Sequence, residues 1–76
     1  KIINIINIMI YKDESQYVAE CLDFPVISQG KTLDETVNNI SEALELHLED
    51  ESMEDLGFVE KPVVNINLDI GELDAA

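Results

Sequence analysis

The side chains of this sequence that are capable of chemistry are mostly carboxylates, with seventeen Asp and Glu against one histidine and one cysteine. Asp13, Glu14, Glu20, Asp23 and Asp69 are the acids on candidate strands and loops. Metal-dependent phosphodiester hydrolysis needs several such groups to converge and hold two cations about 4 Å apart. Glu20 and Asp23 are close enough to meet, but no third acid has a claim to join them. Solvated faces are therefore the expected place for these groups. His47 has no second histidine to complete a metal set, and no Ser or Cys nucleophile is tied to it by spacing. Near a helix C-terminus a protonated imidazole gains about 0.3–1 kcal/mol from the dipole, which is a capping role. Cys21 reads as a small core hydrophobe rather than a reactive thiol. Tyr11 and Tyr17, on adjacent strands, are expected to pack across the hairpin rather than stack on a base. No catalytic residue, metal or cofactor is expected.

The elements that position these residues follow from periodicity. Ile2 to Tyr11 is isoleucine-rich with no helical gap and predicts a strand that is apolar on both faces. Lys12-Asp13-Glu14-Ser15 is a polar turn. Gln16 to Leu22 then alternates, with Tyr17, Ala19 and Cys21 on one side and Val18, Glu20 and Leu22 on the other. Phe24 is biased toward extended geometry by Pro25, and Val26 to Gln29 predicts a short third strand that Gly30 ends. Thr32-Leu33-Asp34-Glu35 matches a capping box and starts the main helix. Along it Leu33, Val37, Ile40, Leu44 and Leu48 form one apolar stripe that must pack on the sheet. Leu46 lies off the stripe. Asp50 to Lys61 reads as a connection, and after Pro62 the run Val63 to Ile70 alternates cleanly as a last strand. Gly71 to Ala76 reads as a fraying tail. The expected fold is α+β and two-layered: one helix on a three- to four-stranded, mainly antiparallel sheet, in the order β-β-β-α-β.

The length of 76 residues allows one domain, 1–76, with a thin core. Self-association is expected, because one helix covers only one face of an Ile-rich strand. A lone thiol suits a reducing compartment, so cytoplasm is the expected location. No apolar run reaches membrane-spanning length, and no signal peptide is expected. The formal net charge of −13, with four lysines and no arginine, repels phosphate backbones and anionic lipids alike. Direct nucleic-acid and membrane binding are thereby disfavoured. Between Lys31 and Lys61 ten acids occur with His47 as the sole candidate cation, so one half of the domain is acidic.

Tyr17-Val18-Ala19-Glu20-Cys21-Leu22-Asp23-Phe24-Pro25, then Ser28-Gln29-Gly30-Lys31-Thr32-Leu33-Asp34-Glu35-Thr36 and Ile40-Ser41-Glu42-Ala43-Leu44-Glu45-Leu46, resemble the signature of the HicB-type antitoxin family. The likeness covers about positions 16–49 in register. Two departures are visible: the loop lacks the Pro-Gly-Cys frequent in the family, and Ser41 stands where many members have a basic residue. The resemblance implies a reduced ribonuclease-H-like sheet with one helix. It also implies neutralisation of a small basic HicA-type RNA-cleaving toxin by covering its active surface. Many members carry a separate DNA-binding domain. No helix-turn-helix or ribbon-helix-helix segment occurs in these 76 residues, so either that domain was lost or this member is a stand-alone domain.

The leading expectation is thus a binding module whose Glu35, Glu42, Glu45 and Glu49 imitate RNA phosphates around Leu46. The alternatives are a solitary homo-oligomeric domain with no toxin, and a residual metal-dependent nuclease using Glu20 and Asp23. Met53, Leu56 and Phe58 admit two readings, an interface centre or a loop folded over the sheet edge.

Overall fold

A computed structural model describes residues 2–74. It contains β1 (Ile3–Asp13), β2 (Gln16–Cys21), β3 (Ile27–Gly30), α1 (Leu33–Leu48) and β4 (Phe58–Asp69). The expected α+β class and element order hold. The sheet is mixed, in the order β3-β2-β1-β4, with both hairpin pairs antiparallel and β4 parallel to β1.

The β1–β2 turn consists of Glu14 and Ser15, since Asp13 pairs with Gln16. Glu14 takes the left-handed φ of 55° that tight hairpin turns favour at their first central position. This turn fixes the register, with Tyr11 opposite Val18 and Lys12 opposite Tyr17. Tyr11 and Tyr17 therefore point to opposite faces and are not the expected cross-strand pair, because neighbouring residues of a strand alternate sides. Lys12 Nζ instead lies 5.7 Å from the centre of the Tyr17 ring.

Ile6, Ile8 and Ile10 of β1 and Ala19 and Cys21 of β2 are buried on the helix side. Ile5, Met9 and Tyr11 occupy the other face of β1 and are half-exposed. The helix begins as expected at Thr32, whose Oγ1 accepts a hydrogen bond from the Glu35 N–H at 3.1 Å. The Glu35 carboxylate, however, accepts from the Lys31 N–H at 3.0 Å, one residue before the N-cap itself.

The buried face of α1 is centred on Thr36, Ile40 and Leu44. Leu33, expected on the stripe, is 38% exposed. The reason lies in β3. Gly30 does not merely end that strand; it is its last residue and is pressed against the helix. A Cβ on Gly30 would stand 2.6 Å from Thr36 Oγ1 and 2.8 Å from Thr36 N. The Thr36 hydroxyl turns back to donate to the Thr32 carbonyl at 2.7 Å, so this close approach leaves no unsatisfied group.

β4 starts five residues earlier than the alternation suggests, because Phe58 is itself a core residue and pairs with Ile3. Between the Ile3–Phe58 and Ile5–Val63 pairs a single β1 residue faces four of β4, a bulge in which Glu60, Lys61 and Pro62 hide the strand period. Gly30→Ala is expected to destabilise the domain by about 1–3 kcal/mol, the usual cost of forcing extra volume into a packed site. Urea unfolding followed by circular dichroism would measure it, and an unchanged midpoint would mean that the helix is not seated by this contact.

Candidate functional site

Helix α1 lies over β3 and β2, and the core beneath it extends to β1, where Ile6, Ile8 and Ile10 are buried. Register then decides what remains uncovered. Val64, Ile66 and Leu68 pair with Ile6, Ile8 and Ile10, so they share the helix-side face. They are nevertheless 45%, 40% and 46% exposed, whereas their β1 partners are buried. The clean alternation of β4 thus marks an apolar face that the helix does not cover.

Between α1 and β4 this leaves an open groove of about 740 Å³. Its floor is apolar, formed by Ile6, Leu44, Pro62 and Val64, with Leu48 and Met53 at one end. Its rim is acidic, formed by Glu42 and Glu45 from the helix, Glu49 at its C-cap and Glu60 from β4, and among the described residues no lysine lines it. Leu46 stands on the same wall and is 71% exposed. Carboxylates around a low-dielectric floor concentrate negative potential at the mouth of the groove. Such a site favours a partner surface with an apolar anchor flanked by cations.

Four of the five residues singled out by sequence, Glu42, Glu45, Leu46 and Glu49, are brought together here. Glu35 is not. It sits in the first turn, with its carboxylate engaged at the helix start. Of the three connection residues, Phe58 is core and Met53 packs against the core, while Leu56 remains 39% exposed. The Phe58 N–H donates to the Met53 carbonyl at 2.9 Å, which folds the connection back and closes one end of the groove. Sequence reasoning missed Glu60, Pro62 and Val64. The β4 alternation is a signal for Val64 alone, and it carries no information on how far the helix extends across the sheet.

The other candidate residues lie apart from the groove. Glu20 is on the opposite sheet face, where it accepts a long hydrogen bond from the Tyr11 hydroxyl at 3.4 Å. Partial burial and the neighbouring Glu20 carboxylate raise the Tyr11 phenol above its ordinary value of 10.0. Asp23 accepts from the Asn7 N–H at 2.8 Å. Each of the two acids considered for hydrolysis therefore serves a different neighbour. Among the described residues no three His, Cys, Asp or Glu side chains are placed to hold a metal ion. His47 leans on Phe24 with ring centres 5.8 Å apart, and Phe24 in turn lies 5.3 Å from Phe58, an aromatic cluster that ties the loop after β2 to the helix end. Cys21 is buried and forms no disulfide among the described residues. No helix of the described residues is long and apolar enough to cross a membrane.

The chain is 41% identical over 58 residues to a UPF0150 protein of Helicobacter pylori strain J99, a match covering 75% of this chain and 81% of that protein. No family profile matches the chain. No solved structure matches it.

The exposed positions of Glu42, Glu45 and Glu49 place like charges three and four residues apart on the groove wall. Glu45→Lys should stabilise the domain by a few tenths of a kcal/mol for each repulsive pair it converts. A higher melting temperature checks this. A lower one in a still-folded protein would show that the wall is not self-repulsive.

Proposed function

This chain belongs to the UPF0150 family, and from that premise we propose that it is a HicB-like antitoxin module that binds a small basic RNA-cleaving toxin of the HicA type. The observation that carries the proposal is the α1–β4 groove, in which an apolar floor is framed by Glu42, Glu45, Glu49 and Glu60. The residue pattern from Tyr17 to Leu46 supports the family side of the reading, and the groove supports the physical side.

A toxin surface that grips RNA must present cations spaced to meet phosphates. The helix-wall carboxylates offer that surface an alternative set of anions. Opposite potentials steer the two proteins together, and Leu46 with the groove floor supplies the desolvated contact that holds them. Covering the toxin's cationic surface excludes RNA without any chemistry by the antitoxin. Net charge supports the division of labour, since a chain at −13 is suited to binding the basic protein and not its RNA.

The test is binding kinetics against a small basic toxin of the HicA type, at two salt concentrations. Association should slow as salt rises. Glu42→Lys with Glu49→Lys should slow association by about tenfold or more while leaving the fold intact. Leu46→Ala should chiefly speed dissociation. Unchanged kinetics in the charge-reversed protein would place the toxin on another surface.

A further inference from the structure

We infer that the outer edge of β4 is where two copies of this chain pair, antiparallel and strand against strand, about a two-fold axis. The inference stands independently of the toxin reading.

Strand order leaves two edges, β3 and β4. A free edge is a row of unpaired N–H and C=O groups, and monomeric proteins blunt it with short strands, charges or bulges. The β3 edge is blunted: it is four residues long, and the Gln29 carbonyl accepts from Asn39 Nδ2 of the helix at 2.8 Å. The β4 edge is not. Its register with β1 is unbroken from Val63 to Asp69. In a chain with seventeen carboxylates, the six residues Val63-Val64-Asn65-Ile66-Asn67-Leu68 carry no ionisable side chain. Val63 is 61% exposed, and Val64, Ile66 and Leu68 are also exposed, so this edge is apolar as well as uncharged.

The sequence around this stretch is self-complementary in one register. With the axis at Asn65, Val64 of each copy faces Ile66 of the other, Pro62 faces Leu68, and Lys61 faces Asp69 at both ends. Opposite charges directly across a strand pair are stabilising. Moving the axis to Ile66 keeps the side chains on their proper faces but sets Asp69 against Val63 and separates it from Lys61. The Asn65-centred pairing is therefore favoured. It is isologous, so it closes at two copies rather than growing into a fibre. It joins two four-stranded sheets edge to edge and leaves both α1–β4 grooves open on one side of the eight-stranded sheet. The opposite sheet face suits a second copy less well, because Asn7, Glu20 and Gln29 lie among its apolar residues.

Sedimentation equilibrium of the full chain at tens of micromolar should give twice the chain mass of 8.5 kDa. Ile66→Lys should give a monomer with an unchanged circular dichroism spectrum. Under mild oxidation Asn65→Cys should form a disulfide-linked dimer, because the two Cβ atoms at the axis would lie about 4.5–5.5 Å apart. Buried Cys21 keeps the parent protein from cross-linking and provides the baseline. Lys61→Asp should weaken the dimer, and adding Asp69→Lys should restore it. A monomeric parent protein would overturn the inference. So would a dimer that survives Ile66→Lys, or one that is trapped by Val18→Cys on the opposite face and not by Asn65→Cys.

Discussion

The contact between Gly30 and Thr36 sets the position of everything else. A side chain of any size at residue 30 would collide with the helix backbone, so glycine lets α1 come down on β3 at closer range than two side-chain-bearing elements allow. Thr36, Ile40 and Leu44 then form the buried face, and the helix is held at the β3–β2 side of the sheet. With one 16-residue helix for four strands, a helix seated at one side leaves the far strand bare. The exposure of Val64, Ile66 and Leu68 is thus a consequence of where the helix is anchored rather than a local oddity of β4.

Electrostatics builds on that offset. The acids at 42, 45 and 49 would be an ordinary solvated helix face if the helix lay centrally on the sheet. Offset as it is, this face overlooks the Pro62–Val64 end of the uncovered strip of β4 and, with Glu60, frames it. Apolar area and charge then act on different steps of association. With a basic partner the charges would raise the encounter rate and be weakened by salt, whereas the floor would gain from desolvation and govern how long a complex lasts. The mutual repulsion along the wall costs the isolated domain some stability. Cations arriving on a partner would relieve it, which couples partner binding to the stability of the fold.

Much of this architecture is legible in the amino-acid sequence. The alternation in Gln16 to Leu22 and Val63 to Leu68, the Thr32 cap and the 3.6-residue stripe each obey a local rule and place their elements to within a few residues. The less legible features are set by tertiary geometry. Glycine after a short strand reads as a terminator, and only the packed helix shows that residue 30 is small because Thr36 needs the space. The tyrosines look paired by sequence spacing, yet a two-residue turn at Glu14 and Ser15 sends them to opposite faces. Alternation alone starts β4 at Val63, because the bulge through Glu60, Lys61 and Pro62 breaks its period, although Phe58 is already in the core. At the site, the helix residues Glu42, Glu45, Leu46 and Glu49 can be named from their spacing. Their opposite wall cannot, since no local pattern states how far a helix reaches across a sheet.

The central claim is that the strip between α1 and β4, and no other surface, receives the basic partner. Amide chemical-shift mapping of the isotope-labelled protein, titrated with a small basic toxin of the HicA type, addresses it most directly. The account predicts that the largest changes fall on Glu45, Leu46, Glu49, Met53 and Val64, with Ile5, Met9 and Val18 on the opposite sheet face unmoved. Changes concentrated on Ile5, Met9 and Val18, with the groove residues silent, would contradict it.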